Sequence, residues 1–288
     1  MPDNTAVPDD ASTLQRARLP NGVELAYDIA GQGAPLVFIH GAMGDWRSWD
    51  AQWPAFTPHF RCLRYSRRYS HPNPNRMPSP HHSALDEAQD LRLLLDHLGW
   101  EQAHLVGSSY GSFTALALAV DQPQRCLALA LSEPAMLCYA QFSDAGRAAE
   151  QAFRRTVIEP ANAAFRRGED MLAAQIMTGG IVGAARAPAP AAMARRQQNV
   201  LAMRMLAMSS NEFPLLAPAR LAALAMPVLL LAGRNTPAIH AETFRNVCAA
   251  MPQARLAWIE GAGHGTAADN PARFNRLVLD FLRESAAP

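Results

Sequence analysis

Apolar residues along the chain follow two spacings, and each spacing predicts a different element. Continuous apolar runs of strand length are typical of strands buried on both faces of a parallel sheet. Such runs occupy residues 35–40, 104–106, 127–131, 228–232 and 255–259, with a weaker candidate at 60–65. Two shorter strands are predicted before them, because Asn21-Gly22 is a dipeptide that favours a hairpin turn.

The segments between these runs carry apolar residues at helical spacing. The clearest of them are residues 83–98, 112–121 and 271–282. The first is followed by Gly99, a residue type that commonly ends a helix. Strands that alternate with helices predict an α/β fold with a mostly parallel twisted sheet, right-handed crossovers and helices on both faces.

One long region interrupts this alternation. Residues 135–216 contain no run of the buried-strand type and are rich in Ala, Arg and Met at helical spacing. We interpret them as an all-α insertion, a cap or lid, within a core domain formed by residues 13–134 and 217–288. The acidic and polar residues 1–12 are predicted to be a disordered tail.

Composition narrows the class of partner. The 288 residues are 49% apolar and 18% charged, as in an ordinary soluble globular protein, and the net charge of +1 favours neither a nucleic acid nor a membrane as partner. The N-terminus lacks the basic and apolar parts of a signal peptide, so a cytoplasmic protein is expected. No pattern indicates an oligomeric state. The four cysteines are far apart, without metal-ligand spacing, and predict free thiols: Cys62, Cys126, Cys138 and Cys248.

The motif with the strongest context is Gly107-Ser108-Ser109-Tyr110-Gly111, which follows a predicted strand and precedes an Ala/Leu-rich helix. It matches G-x-S-x-G, a sharp strand-to-helix turn that needs small flanking residues and exposes its central serine. The helix dipole at such a position favours developing negative charge. Ser109 is therefore the predicted nucleophile.

A second motif, His40-Gly41-Ala42, directly follows the apolar run at 35–40. In this architecture the residue after the glycine contributes half of an oxyanion hole through its backbone N–H. The other half comes from the residue after the nucleophile, so we expect Ala42 and Tyr110 to act through their main chains. His40 is interpreted as a structural brace of the loop.

The predicted general base is His264. It stands in Gly263-His264-Gly265, on a loop after the last predicted strand, and the glycines allow its ring to swing over the strand ends. The remaining histidines lack a comparable context and are expected to have surface or core roles; they include His59, His71, His81, His82, His97, His104 and His240.

In these three motifs, PLVFIHG, GSSYGS and EGAGHG, the chain resembles the α/β-hydrolase family. The resemblance covers essentially everything after the tail, and the helical insertion looks like the cap of lidded members such as C–C bond hydrolases and many esterases. It implies an enzyme without metal or organic cofactor. Dehalogenase and epoxide hydrolase chemistry is disfavoured, because that chemistry uses Asp where this chain has Ser109.

The acid that should orient His264 departs from the family pattern. The resemblance places it after the strand that follows the cap, where this chain has Thr236. Some relatives place it directly before the cap, where Glu133 ends an apolar run and is the predicted acid. The alternative is that His264 works with Asn235, with water or with no partner. Two further carboxylates are expected on helices away from the strand ends, Glu242 and Asp269.

The resulting functional prediction is a carboxylic ester hydrolase with a Ser109–His264–Glu133 triad that acts through an acyl-enzyme. Its substrate is expected to be a small hydrophobic ester, lactone or similar carbonyl compound. Three alternatives stay open: cleavage of a C–C bond in a β-diketone-type substrate, cofactor-independent dioxygenation of a heteroaromatic ring, and ligand binding with little turnover.

Two further groups of residues are expected to lie near the substrate. Arg67 and Arg68 lie on a loop that borders the site in relatives, which suggests binding of a polar substrate group. The cap methionines would supply an adaptable apolar wall, but packing within the helical core explains most of them equally well; they are Met171, Met177, Met193, Met203, Met205 and Met208.

Overall fold

The computed structural model describes residues 11–76, 81–183 and 190–285, in which eight strands form one sheet. The strands are β1 (Gln15–Arg18), β2 (Glu24–Ala30), β3 (Pro35–Ile39), β4 (Arg61–Tyr65), β5 (Ala103–Ser108), β6 (Cys126–Ser132), β7 (Val228–Gly233) and β8 (Arg255–Ile259). Their order across the sheet is β1-β2-β4-β3-β5-β6-β7-β8. The pairings of β1 with β2 and of β2 with β4 are antiparallel, and all others are parallel. The predicted α/β fold is confirmed.

Helices connect the strands. They are α1 (Trp53–Phe56), α2 (Ala84–His97), α3 (Tyr110–Asp121), α4 (Asp144–Phe153), α5 (Glu159–Arg166), α6 (Asp170–Val182), α7 (Pro190–Gln198), α8 (Val200–Met208), α9 (Pro218–Ala222), α10 (Ala238–Ala250), α11 (Thr266–Asp269) and α12 (Pro271–Ser285). The three helices predicted most clearly correspond to α2, α3 and α12. Ser83 and Asp86 form a capping box at the start of α2, which satisfies backbone N–H groups of the first turn.

The apolar runs form central strands because both faces of the sheet are covered. In β3, Leu36 and Phe38 pack on one face, where Phe38 lies 4.9 Å from the ring of Trp49. Val37 and Ile39 belong to the core on the opposite face. Side chains alternate between the faces of a strand, so a strand covered on both sides must be apolar at every position.

The parallel register brings the carboxyl ends of the strands to one edge. Ser108 at the end of β5 is paired with Ser132 at the end of β6, and Ser132 is paired with Leu231 in β7. Gly233 ends β7 opposite Ile259, the last residue of β8. The loops that leave these strands therefore begin side by side, which is where an open α/β sheet places its ligand site.

Between β6 and β7, the described part of the chain contains helices and no strand. The helices α4 to α8 lie within the predicted cap, residues 135–216, and a five-residue π-helical turn, Arg154–Ile158, joins α4 to α5. In the described residues no helix is both long enough and apolar enough to cross a membrane. Of the predicted disordered tail, residues 1–10 lie outside the described residues. Residues 11 and 12 are described, and Ala11–Thr13 form a 3-10 helix.

Gly111 is required by the packing of α3 against β3. A Cβ atom on Gly111 would lie 2.0 Å from the carbonyl oxygen of Ile39, which is backbone and cannot rotate away. We expect Gly111→Ala to lower the free energy of unfolding by about 2–3 kcal/mol or more, through a forced backbone shift. Urea unfolding followed by circular dichroism measures this.

The matched control is Gly179→Ala in α6, where a Cβ atom would meet no atom within 4 Å. Because alanine favours a helix over glycine, this variant should be unchanged or more stable by up to about 1 kcal/mol. Equal effects of the two substitutions would contradict the assigned packing.

Candidate active site

Ser109 is the single residue that links β5, which ends at Ser108, to α3, which begins at Tyr110. Its backbone has φ 53° and ψ −114°, in the left-handed half of conformational space, where a side chain is strained. Its N–H donates to the carbonyl oxygen of Ser132 over 2.8 Å, so β6 holds the turn in place. A side chain on Gly107 would come within 2.6 Å of Ser112 Cα, which explains the small residue before the serine.

The three predicted site residues form one hydrogen-bonded chain. Ser109 Oγ lies 2.8 Å from His264 Nε2, and His264 Nδ1 lies 2.6 Å from Glu133 Oε2. With the hydrogen on Nδ1, the ring donates to the carboxylate, and Nε2 can accept the serine proton. His264 and Glu133 are buried. This arrangement can remove a proton from Ser109 and stabilise the imidazolium that results.

Glu133 accepts hydrogen bonds on both carboxylate oxygens. Oε1 accepts from the backbone N–H of Gly233 at 2.8 Å, and Oε2 accepts from the Thr236 hydroxyl at 2.6 Å as well as from His264. Thr236, which occupies the place of the usual family acid, therefore supports the acid from β6. Glu133 has a φ of 40°, and its N–H donates to the Leu231 carbonyl oxygen over 3.0 Å.

The loop that carries His264 is held in place through contacts of its backbone. The Gly263 N–H donates to Asp269 Oδ2 over 2.9 Å. A Cβ atom on Gly233 would lie 2.2 Å from the Gly263 carbonyl oxygen, so a glycine is needed where the two loops cross. The sequence placed Asp269 on a helix away from the strand ends. It is the last residue of α11, yet its carboxylate reaches this loop and contacts backbone N–H rather than the imidazole.

The loop after β3 brings Ala42 beside Ser109 and Tyr110, where all three line one pocket. Among the described residues, neither the Ala42 N–H nor the Tyr110 N–H donates to a protein acceptor, so both are available to an oxyanion. His40 donates from Nδ1 to the Gly41 carbonyl oxygen at 2.8 Å, consistent with a brace.

Arg67 holds the loop after β3 in place through contacts with His40 and Gly41. Its backbone N–H donates to His40 Nε2 over 2.9 Å, and its guanidinium donates to the Gly41 carbonyl oxygen over 3.1 Å. The guanidinium also pairs with Glu87 and lies over the Tyr110 ring, 4.7 Å from its centroid. Burial and the nearby Arg67 charge lower the pKa of His40 to about 3, so this histidine stays uncharged.

Two recesses meet at Ser109. A narrow apolar pocket runs under the cap, and the side chains that enclose it include Leu137, Phe153, Ile158, Met177, Leu206 and Phe213. On the other side, Ser109 and His264 border a more open cleft, which is also lined by Met43, Ile181 and Arg196. The nucleophile can therefore reach a carbonyl group whose two substituents lie in different surroundings.

Two expectations about substrate contacts are wrong as stated. Arg67 is buried and paired with Glu87, and Arg68 is paired with Asp90 at 2.6 Å, so neither arginine lines the recesses at Ser109. Of the six cap methionines, only Met177 lines the apolar pocket. The others pack within the cap or are partly exposed.

Sequence reasoning also missed His240, which was assigned a surface or core role. It is buried in α10, and its ring stacks on the ring of His264 with centroids 3.6 Å apart. No local motif marks it, because the contact depends on how α10 crosses the loop after β8.

The described residues offer no obvious metal site. Nowhere in residues 11–76, 81–183 and 190–285 do three His, Cys, Asp or Glu side chains group as metal ligands would. All four cysteines are free thiols, with Cys62 and Cys126 buried.

Comparisons with known proteins place the chain among hydrolases. A family model for the alpha/beta hydrolase fold matches residues 34–271. The 2-hydroxy-6-oxononadienedioate/2-hydroxy-6-oxononatrienedioate hydrolase of Paraburkholderia xenovorans (strain LB400) is 27% identical over 297 residues, which cover 98% of this chain and 99% of the relative. RutD of Stutzerimonas stutzeri (strain A1501), provisionally named a carbamate hydrolase, is 26% identical over 273 residues, 90% of this chain and 96% of the relative. The solved structure of a hydrolase from Pseudomonas aeruginosa PA01 has a TM-score of 0.73 at 26% identity and covers 95% of this chain and 99% of its own.

Glu212 is a buried carboxylic acid beside the site, in the segment that leads from the cap back to the core. Its Oε2 and the Tyr110 hydroxyl are close to each other, but they lie outside hydrogen-bond geometry, so neither has a hydrogen-bond partner among the described residues. Burial raises the pKa of Glu212 to about 7, and the Glu87 carboxylate adds to this shift. The nearby His82, Tyr110 and Arg67 side chains act in the opposite direction.

This raised pKa predicts a pH-dependent stability. Below the ordinary value of 4.5, Glu212 is protonated in both the folded and unfolded states. Between 4.5 and about 7 only the unfolded state ionises, so stability falls as the pH rises through this window and stays lower above it. Glu212→Gln should therefore raise the free energy of unfolding by up to about 3 kcal/mol at pH 8 and change it little near pH 4.

Urea unfolding at pH 4, 6 and 8 measures the difference between the variant and the wild type. Glu284→Gln is the matched control, because Glu284 is exposed and pairs with Arg255 at the surface. A constant difference between Glu212→Gln and wild type at all three pH values would contradict the raised pKa.

Proposed function

The chain belongs to the α/β-hydrolase fold family, and we propose that it is a serine hydrolase that cleaves a small hydrophobic ester, lactone or related carbonyl compound. The observation that carries the proposal is the hydrogen-bonded chain from Ser109 Oγ through His264 to Glu133 Oε2, with distances of 2.8 and 2.6 Å. A nucleophile, a base and an orienting carboxylate in this order are the parts that acyl transfer needs.

The first half of the reaction forms an acyl-enzyme. Ser109 Oγ attacks the carbonyl carbon as His264 Nε2 takes its proton, and the carbonyl π electrons move to the oxygen. The N–H groups of Ala42 and Tyr110 then stabilise that oxyanion, each contributing about 3 kcal/mol if they behave as such donors commonly do. His264 returns the proton to the leaving group as the tetrahedral intermediate collapses.

The second half hydrolyses the acyl-enzyme. His264 takes a proton from water, whose oxygen attacks the acyl carbon, and the proton passes to Ser109 Oγ as the acid product leaves. Throughout, Glu133 accepts from Nδ1 and balances the positive charge of the imidazolium. The Thr236 and Gly233 donors hold the carboxylate in the plane that this contact requires.

The shape of the two recesses supports a hydrophobic acyl or aryl group. The pocket under the cap presents almost only apolar side chains, including Phe153, Met177 and Phe213, and is narrow. Burial of each CH₂ group there contributes about 0.8 kcal/mol to binding. The leaving group would lie in the more open cleft beside His264, from which water can also enter.

A fluorophosphonate probe tests this proposal without knowledge of the substrate. In the wild type, Ser109 Oγ displaces fluoride and forms an O–P bond, which mass spectrometry locates on the peptide that contains Ser109. Ser109→Ala should give no adduct. Glu133→Gln should label on the order of 10³-fold more slowly, because the neutral amide no longer stabilises the imidazolium.

Glu242→Gln is the control for the acid, since Glu242 pairs with Arg245 on α10 and has no contact with His264. It should label at the wild-type rate. Folded wild-type protein that resists the probe, or Glu133→Gln that labels normally, would contradict the proposed triad. Resistance would direct the search towards oxygen consumption with heteroaromatic compounds and towards ligand binding.

A second candidate function, hydrolysis of a C–C bond in an anionic substrate, is favoured by Arg196. Its Nη1 is buried and has no hydrogen-bond partner among the described residues, and its side chain lines the open cleft with Ser109 and His264. Burial lowers the pKa of Arg196, which reflects the free energy cost of an unpaired guanidinium. A substrate carboxylate would offset this cost, and the relative from Paraburkholderia xenovorans is named for a dienedioate.

Arg196→Met tests the carboxylate contact on which the second candidate rests. The variant should raise KM about 10- to 100-fold for substrates with a free carboxylate, through loss of a charge-assisted hydrogen bond, and leave neutral esters unaffected. The substrates are 2-hydroxy-6-oxodienoates, followed by loss of their absorbance, and a p-nitrophenyl monoester of a dicarboxylic acid beside its neutral methyl ester.

Arg195→Met is the matched control, because Arg195 is exposed one residue earlier in α7 and its guanidinium pairs at the surface with Asp50, at 3.6 Å. Wild-type turnover of the dienoates that exceeds turnover of esters would favour C–C hydrolysis. Equal responses of Arg195→Met and Arg196→Met would sink the carboxylate contact.

A further inference from the structure

His240 covers one face of His264. The two rings lie nearly parallel, with an angle of 15° between their planes and 3.6 Å between their centroids. His264 makes its hydrogen bonds to Ser109 and Glu133 in the plane of the ring, at opposite ends. These two bonds act roughly along one line and restrain the tilt of the ring only weakly. The flat contact with His240 supplies the restraint that they lack.

The same side chain reaches the cap. His240 Nε2 lies 3.0 Å from the carbonyl oxygen of Ile181, to which its N–H donates. Ile181 lies in the last turn of α6, where the backbone carbonyl oxygens receive no hydrogen bond from within the helix. The Phe153 ring, from α4 of the cap, packs edge-on against His240 at 6.2 Å. His240 therefore has the cap on one side and the base on the other.

The His240 ring stays uncharged. Burial lowers its pKa well below the ordinary value of 6.5, and a positive charge on His264 lowers it further. Among the described residues that contact His240, the only one that can carry a positive charge is His264; α4 and α6 present Phe153 and the Ile181 carbonyl group. This matters because a charged neighbour at 3.6 Å would oppose imidazolium formation, whereas a neutral ring does not.

We propose that His240 is a positioning residue with two separable parts: its ring fixes the plane of His264, and its Nε2–H fixes the end of α6, so that the cap and the base are joined through one side chain. The proposal rests on the proposed function only in assigning His264 as the base. Ordinary packing would need only an apolar group of this volume. A donor at Nε2 and a flat face are both required by the two contacts.

Three substitutions separate the two parts. His240→Phe keeps a ring that can stack on His264 but cannot donate to Ile181. His240→Gln keeps an N–H near the position of Nε2 but has no ring, and His240→Ala has neither. The control is Phe244→Ala, which removes a buried ring from the next turn of α10 that packs against Trp258 and not against His264.

The first readout reports on the position of His264. Two quantities are measured: the rate constant of fluorophosphonate labelling at Ser109, and the proton resonance of His264 Nδ1–H, which the 2.6 Å contact with Glu133 shifts downfield. His240→Gln and His240→Ala should label at least about tenfold more slowly and lose the resonance to exchange with water, since small misplacements of a catalytic group are costly. With any ester that the wild type turns over, the loss should fall on kcat rather than KM. His240→Phe should restore both signals.

The second readout is the cap, measured by hydrogen exchange of the last turn of α6. His240→Gln should protect it as the wild type does, and His240→Phe and His240→Ala should exchange faster. Phe244→Ala should lower the melting temperature and move neither readout. If the ringless variants label at the wild-type rate, or if His240→Phe fails to restore labelling, the positioning role is wrong. If His240→Phe leaves exchange in α6 unchanged, the link to the cap is wrong.

The experiments distinguish a failure of the proposed function from a failure of the role proposed for His240. An unlabelled wild type would contradict the proposed function, and the exchange measurement would still decide the cap contact. A labelled wild type with unaltered His240→Gln and His240→Ala variants would leave the triad standing and overturn the role of His240 alone. If His240→Ala does not fold, His240→Gln carries the same comparison.

Discussion

The site depends on one buried carboxylate, that of Glu133. An ionised carboxylate removed from water is stable only if donors surround it, and Glu133 has three: the Gly233 N–H, the Thr236 hydroxyl and the His264 Nδ1–H. These donors belong to the end of β7, the loop after β7 and the loop after β8. Because one side chain must satisfy all three, it fixes the relative positions of three loops. A buried polar group left without its hydrogen-bond partner typically costs about 1–3 kcal/mol, and more if it is charged, so the loops cannot drift apart without a loss of stability.

Much of the fold could be predicted because the physics that sets it is local. The run at 35–40 has no polar gap, so β3 must be covered on both faces, and the sheet follows from several such runs. Gly107 and Gly111 flank Ser109 because nearby backbone leaves no space for a Cβ atom, which a short motif records directly. The acid that contacts His264 was harder to predict. Thr236 stands at the usual position, and Glu133 became the candidate because some relatives place the acid directly before the cap, where Glu133 ends an apolar run on the same edge as Ser109.

The other features of the site could not be predicted, because they depend on contacts between elements that are distant in the sequence. His240 stacks on His264 because α10 crosses the loop after β8 at one angle, and neither segment contains a signal for that crossing. Arg67 was expected to bind a polar group of the substrate, because its loop borders the site in relatives. It is instead buried with Glu87 under the loop after β3, and only the tertiary structure supplies that partner. The cap methionines share a helical spacing, but helix rotation decided that Met177 alone lines the pocket.

An acid placed before the cap has a structural consequence for the cap itself. The chain enters the cap immediately after Glu133, and the N–H of Ala135 donates to the carbonyl oxygen of Ser109 over 3.2 Å. The cap therefore begins one hydrogen bond away from the nucleophile. Its α6 reaches the base through His240, and its last segment places Phe213 against the Tyr110 ring at 6.1 Å. Since each of these contacts joins the cap to a different part of the site, a displacement of the cap would disturb the nucleophile, the base and the oxyanion hole together. In an enzyme with its acid after β7, a whole strand separates the end of the cap from the acid; here the cap follows Glu133 directly, so the carboxylate that binds His264 and the first residues of the cap share one segment of chain.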